Sequence, residues 1–506
     1  MGSRTENAKA NIISGILSKM VFMLLPFITR TCIIYYLGTM YLGLNSLFSS
    51  ILQLLSLAEL GFGEALVYSM YAPLAQNNHE KVRALLNLYR KIYRIIGGCI
   101  LFLGISFSPF LNYIIKGETP ADINIHILYY IYLCNTVLSY WLFAYKNSIL
   151  AATQKISITN NINTITQIVL SITQAILIIA FKNYYLFVIV IPLCTIARNI
   201  ITNNITNKIY PMYFCEGELE RSEFKEIRKR VAGMFIYKIC GSLRSSYNSI
   251  IISAFIGLTI LAKYENYFFI VSSIIGIMTL ISSGIVASVG NSIASESIEK
   301  NYKDFIKFYF IYELLTSWCT ICLLCLMQPF MKLWVGEELM LGNEIVLLFC
   351  IYFYILKTGD ICYVYRQAAG IWWKDKFRPI IEAIVNLGLN LFLVKKIGVT
   401  GVLYSSIITL STINFIWGGK ILYSTYFKRS MVEYFRHTCT YLFITIITGS
   451  IIYYICSLIP DNGYGTFTLK ILITTIPSAI ILLFIYRNNY VFIASKGLLF
   501  KLIKRN

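Results

Sequence analysis

The feature that most constrains this chain is the recurrence of apolar stretches about 20 residues long, each able to cross the ~30 Å hydrocarbon layer of a bilayer. They take up most of the sequence and leave no room for a water-facing globule. Of 506 residues, 57% are hydrophobic and 13% charged, and the mean hydropathy is +0.67. Soluble chains carry about 25% charge. The expected fold is an all-α polytopic membrane protein.

Cutting the sequence where charge, Gly, Pro and Asn cluster leaves segments near 12–37, 42–69, 92–114, 123–145, 158–181 and 184–204. Beyond the charged stretch from Lys208 to Arg230, eight more lie near 233–257, 264–290, 306–331, 344–365, 380–397, 399–423, 438–459 and 469–486. This predicts about 14 transmembrane helices. The first segment has no small-residue cleavage site behind a short apolar core, so it reads as a retained helix rather than a signal peptide. Glu6 stands where a myristoylation motif needs Ser or Thr.

The formal charge is +20, from 44 Lys+Arg against 24 Asp+Glu. With the N-terminus inside, 31 of those cations fall on the cytoplasmic side, seven on the other and six within spans. That asymmetry follows the positive-inside rule and predicts cytoplasmic N- and C-termini. It also argues against nucleic acid as the partner, because no soluble domain remains to carry a phosphate-binding face.

Sliding the chain on itself by 219 residues sets Lys19 on Lys238, Gly38 on Gly257, Lys81 on Lys300, Gly117-Glu118 on Gly336-Glu337 and Lys155 on Lys374. Loops meet loops and helices meet helices, which marks an internal repeat. The predicted organisation is an N-lobe over 1–207, a cytoplasmic linker over 208–232, a C-lobe over 233–430, and two extra C-terminal helices with a basic tail over 431–506. An even number of helices per lobe implies a pseudo-two-fold axis along the membrane normal. By analogy with parallel-repeat transporters, substrate is expected in a cleft between the lobes, exposed alternately to each side.

Cations inside spans need water or a partner, since each costs about 2.5–3.5 kcal/mol at mid-membrane. Lys19 and Arg30, eleven residues apart, return to within about 20° of one face of the first helix, and Pro26 between them is a candidate kink and gate element. Lys238 and Arg244 lie on the seventh helix. One reading has these four paired with Glu59, Glu64, Glu265 or Glu313, or snorkelling to headgroups. The other makes them a hydrated cationic cleft for an anion, with guanidinium groups matching phosphate oxygens. Glu59 and Glu64 either balance the cations or couple transport to H⁺ or Na⁺. Lys357 and Asp360, three residues apart, are expected to neutralise each other.

Catalytic readings find little support. His79, His126 and His437 are scattered without partners at ligand spacing, no phosphate-binding Gly-rich loop appears, and the outward loops are too short for a catalytic domain. Cys319, Cys322 and Cys325 form a CxxCxxC run, but it is bedded in Leu and Ile with no histidine nearby. It reads as packing, with no resident metal or cofactor expected.

The run Tyr41-Leu42-Gly43-Leu44-Asn45-Ser46-Leu47-Phe48, with Ala58-Glu59-Leu60-Gly61-Phe62-Gly63 and Tyr68-Ser69-Met70, resembles the second-helix signature of bacterial polysaccharide repeat-unit flippases. The segments from Ala84 to Tyr93 and from Ser139 to Lys146 add to it. The likeness is to Wzx-type members of the multidrug/oligosaccharidyl-lipid/polysaccharide (MOP) exporter superfamily and is strongest over residues 10–155. It implies two six-helix lobes, often with two extra helices, in the bacterial cytoplasmic (inner) membrane. The implied cargo is an oligosaccharide on a polyprenyl-pyrophosphate lipid (O-antigen or capsule), moved from the cytoplasmic to the outer leaflet, with polysaccharide polymerase machinery as a partner. Related peptidoglycan-precursor flippases are similar in carrying basic cavity residues on the first helix, the place of Lys19 and Arg30 here. The alternatives are such a precursor flippase, a cation or drug exporter of the same superfamily, and a membrane glycosyltransferase or polymerase, which would need a long outward catalytic loop.

Overall fold

The computed structural model describes residues 4–495 apart from 60–61, 372–373 and 462; the side chains of 4–9, 12, 58, 64, 226, 228–242, 245 and 287 also lie outside the described set. Every regular element among the described residues is helical. In chain order these are α1 (Arg4–Tyr36), α2 (Thr39–Leu55), α3 (Phe62–Ala75), α4 (His79–Phe107), α5 (Leu111–Ile114), α6 (Ile125–Trp141), α7 (Lys146–Ala152), α8 (Ile156–Phe181), α9 (Tyr184–Ile209) and α10 (Arg221–Phe255). There follow α11 (Leu258–Gly284), α12 (Val286–Ser295), α13 (Ile298–Val335), α14 (Asn343–Thr358), α15 (Asp360–Ala368), α16 (Phe377–Ile397), α17 (Val399–Thr409), α18 (Gly418–Leu422), α19 (Val432–Ser457) and α20 (Tyr464–Tyr486). Leu410–Trp417 and Tyr423–Phe427, on either side of α18, are wound as π-helix.

Eleven spans among the described residues are long and apolar enough to cross a membrane, and α6 with α7, bent by 53°, makes a twelfth. The other two expected crossings fall on α2 with α3 and on α10. The former is interrupted by a 3₁₀ turn, Ser56–Glu59, and much of the latter lies outside the described side chains. The chain is thus a multi-pass membrane protein.

The interval of 219 residues reappears in the backbone. α1 ends at Tyr36 and α10 at Phe255; α2 begins at Thr39 and α11 at Leu258; α4 begins at His79 and α13 at Ile298. The caps repeat as well. Asn78 accepts from the Lys81 amide at 3.0 Å and Ser297 from the Lys300 amide at 3.3 Å, each worth about 1 kcal/mol to its helix start. Gly38 and Gly257 turn the chain at φ 109° and 127°, where a side chain would be strained.

Contacts divide the chain into two compact units, Met1–Ala262 and Lys263–Asn506. In the first, α1 packs along α8, α8 on α9, α4 on α6, and α10 against α2, α3 and α5. Gly43 on α2 admits the backbone of Leu258: a Cβ there would stand 2.9 Å from the Leu258 carbonyl carbon. In the second unit α13 is the spine, contacting α14, α19 and α20, while α16 pairs with α17. With lipid outside, apolar burial does little to drive helices together, so close approach and interhelical hydrogen bonds take over. Gly401 lies against the Leu393 backbone, Ser405 donates to Asn390 at 2.8 Å, and Thr445 on α19 donates to Ser317 on α13 at 2.7 Å.

Candidate functional site

α1 is continuous through Pro26, with the Thr29 hydroxyl donating to the Pro26 carbonyl at 3.2 Å. Lys19 is exposed on this helix and Arg30 half-buried. Arg244 is half-buried on α10, and both arginines are engaged by neighbouring groups. The side chains of Lys238 and Glu64 lie outside the described residues. Around Arg244, α10 is lined with small buried polar groups: Ser246 donates to Gln53 on α2 at 3.1 Å, and Ser253 donates to the Ile114 carbonyl on α5 at 2.9 Å. Arg30, Arg244, Lys19 and Glu59 all belong to the first unit.

Glu59 ends the 3₁₀ turn after α2 and is held by tyrosines of the same unit. The Tyr93 hydroxyl donates to it, Tyr89 donates to Tyr93 at 3.0 Å, and the Tyr140 ring packs on Tyr93 with centroids 5.4 Å apart. This hydroxyl cradle ties the carboxylate to α4 within the first unit.

Lys146, counted with the loop charges by its position, is buried at the start of α7 and donates to Asn207 at 2.7 Å and to the Tyr213 carbonyl at 3.1 Å. Nearby, the exposed Glu218 carboxylate lies 2.8 Å from Lys91, whose hydrogen bond and charge hold its pKa below the usual range.

In the second unit Lys357 lies 2.6 Å from Asp360, the pairing that their spacing predicts, and also donates to Thr279 at 3.1 Å, while Tyr312 donates to Asp360 at 2.6 Å. A second ionic group has no forerunner in the sequence reading. Arg378 and Asp375, each 2% exposed, form a two-pronged pair at 2.6 and 3.0 Å. Arg378 also reaches Glu382 at 3.2 Å, and Arg366 lies 3.6 Å from Asp375. Asn414, in the π-wound stretch, donates to Glu382 at 3.3 Å. Arg366 and Arg378 occur in a charged connection and look like loop cations. The available signal was the helical spacing Asp375, Arg378, Glu382, which places all three on one face.

At the other end of α13 a cavity of about 630 Å³ is bounded by Gln328, Lys332, Asn343, Asp461 and Lys470. Its lysines are matched: Lys332 lies 2.6 Å from Glu337, and Lys470 lies 2.6 Å from Asp461. Among the described residues no group of three His, Cys, Asp or Glu is placed to hold a metal ion, and the Cys319–Cys325 run packs within α13.

The fold defined by these helices is that of multi-pass membrane transporters. No protein-family profile and no curated protein sequence matches the chain. Among solved structures it is similar to the lipid II flippase MurJ in an inward closed conformation, at 17% identity and a TM-score of 0.68, over 94% of this chain and 99% of that one. It is also similar to an inward-facing multidrug resistance MATE family transporter of the MOP superfamily, at 14% identity and a TM-score of 0.63, over 83% of this chain and 99% of that one. A third likeness is to the MATE multidrug transporter DinF-BH, at 14% identity and a TM-score of 0.59, over 85% and 98% of the two chains. All three are transport proteins rather than enzymes.

Proposed function

We propose that the protein is a flippase that carries a polyprenyl-pyrophosphate-linked oligosaccharide repeat unit from the cytoplasmic to the outer leaflet of the bacterial cytoplasmic membrane, for surface polysaccharide synthesis. The observation that carries this reading is the fold likeness to a flippase of a lipid-linked cargo, which spans nearly the whole of both chains. The likeness to the multidrug transporters covers less of this one.

The chemistry of the membrane cations supports it. A pyrophosphate cannot enter hydrocarbon unpaired. Arg30 on the first helix of one repeat and Arg244 on the first helix of the other, with Lys19 and Lys238, would supply the positive charge, Arg binding phosphate oxygens in a planar fork. The polyprenyl tail stays in lipid while the headgroup is exposed to one side and then the other. Pro26 is the proposed kink of the gate, Glu59 and Glu64 the proposed sites of H⁺ or Na⁺ coupling, and polysaccharide polymerase machinery the proposed recipient. A peptidoglycan-precursor flippase is the second reading, favoured by the lipid II flippase likeness itself.

The test is deletion of the gene. Lipid-linked oligosaccharide should accumulate in the inner leaflet while surface polymer disappears, and wild-type protein should restore it where correctly inserted Arg30→Ala or Arg244→Ala does not. Accumulation of peptidoglycan precursor instead supports the second reading. Loss of drug efflux alone, with both lipid pools unchanged, overturns both.

A further inference from the structure

Glu313 lies in the interior of α13, within the second unit, and is 1% exposed. Neither carboxylate oxygen has a hydrogen-bond partner of good geometry. Its surroundings are hydroxyl-rich rather than cationic. Tyr309 lies on its own helix, Tyr354 and Thr358 come from α14, and the hydroxyl of Tyr354 is itself buried without a partner. The facing ionisable groups are Tyr309 and Tyr312 on α13, Tyr354 on α14, Asp360 and Cys362 on α15, Tyr434 and Tyr441 on α19, and Tyr486 on α20. Lys357, on the helix that carries Tyr354 and Thr358, is committed to Asp360 at 2.6 Å. A carboxyl group in such a place is a candidate to hold a proton, because burial penalises its charge and no cation stands against it.

A second observation points to a ligand. From Glu313 a file of tyrosines leads to the start of α19. Tyr309 packs on Tyr434 with centroids 4.9 Å apart, Tyr434 on Tyr423 at 5.5 Å, and Tyr423 on Tyr302 at 6.1 Å. Tyr302 then donates to Glu433 at 2.7 Å. The hydroxyls of Tyr434 and Tyr423 are buried and make no hydrogen bond of good geometry, and Glu433 borders an open pocket with Arg429 and Arg436. A buried hydroxyl without a partner carries a cost, and a string of them between a buried acid and a surface acid offers groups through which a proton can be relayed.

We propose that Glu313 is a proton-binding site, loaded from the Glu433 end of the tyrosine file, and that its protonation is coupled to the transport cycle. The step is a simple transfer: an O–H bond forms at one Glu313 oxygen as a hydronium ion at the Glu433 mouth gives up its proton. Proton binding stands independently of the cargo, whereas the coupling rests on the transport reading above.

The experiment uses full-length protein in lipid nanodiscs and infrared spectroscopy of the carboxylic C=O stretch. At neutral pH the wild type should show the band of a buried protonated acid, and Glu313→Gln should lack it. Glu313→Asp, if Gln does not fold, should shift it. Identical spectra for wild type and a folded variant overturn the proposal. In proteoliposomes, an imposed pH gradient should speed cargo movement by wild type, and Glu313→Gln should lose that response. An unchanged response overturns the coupling. No cargo movement by wild type instead counts against the flippase reading, while the infrared band still decides proton binding.

Discussion

Tyr312 on α13 shares its one hydroxyl proton between the carbonyl oxygen of Met278 on α11, at 3.2 Å, and Asp360, at 2.6 Å. The positions 219 residues before Tyr312 and Met278 are Tyr93 and Glu59, and they touch too, the Tyr93 hydroxyl donating to the Glu59 carboxylate. The two repeats therefore share one tertiary contact with different chemistry. In the first the tyrosine serves a carboxylate; in the second it meets a backbone carbonyl and also Asp360, itself neutralised by Lys357. The same contact holds an acid among hydroxyls in one unit and abuts a static ion pair in the other.

The static pair should behave as a buried salt bridge. Lys357→Met leaves Asp360 without its cation and is expected to destabilise the protein by about 3–5 kcal/mol, whereas adding Asp360→Asn should recover most of the loss. Thermal unfolding in detergent of the two single variants and the double variant measures this. Additive losses would show that the pair is not an energetic unit.

Asp375 serves two guanidinium groups at once, Arg378 in a two-pronged pair and Arg366 at 3.6 Å. Asp375→Asn keeps the shape but leaves two buried cations to one carboxylate, Glu382. A loss of about 3–5 kcal/mol is expected, larger than for removal of any exposed ion pair. Reduced yield of monodisperse protein, with the wild-type yield recovered when the substitution is reverted, checks it.

Gly43 and Gly401 admit neighbouring backbone at places where a methyl group cannot fit. A Cβ at Gly401 would lie 2.6 Å from the Leu393 carbonyl carbon, and backbone cannot swing aside as a side chain does. Gly43→Ala and Gly401→Ala should each cost about 1–3 kcal/mol. Gly98→Ala, with nothing within 4 Å, is the control and should leave the unfolding temperature unchanged or raise it slightly, since Ala favours a helix interior over Gly.

Lys91 depresses the Glu218 pKa. A lowered folded-state value means that this pair contributes above the unfolded Glu value, about 4.3, and that the contribution disappears as pH falls through the folded value. Both groups are exposed and screened by salt. Lys91→Ala should therefore leave the melting temperature almost unchanged at neutral pH in salt, and it should reduce the small acid dependence below pH ~4. Melting curves across that range decide it.

Much of this molecule could be read along the chain. The transmembrane segments were legible because hydrophobicity summed over about 20 residues is a local property that a bilayer enforces on each helix separately. The repeat was legible because glycines at φ>0 and helix caps are required by local backbone geometry, as Gly38 and Gly257 or Asn78 and Ser297 show. Lys357 and Asp360 were legible because helical spacing alone makes them neighbours. Pairing across sequence distance was not. Arg366 and Arg378 read as loop cations, yet folding buries them with Asp375 and Glu382, and Glu313 read as a partner for a cation, yet it sits among hydroxyls from α13 and α14. Sequence counts the charges on each helix, while only packing determines which of them lose water together, and that desolvation decides whether a charge is paired, neutralised or kept for use.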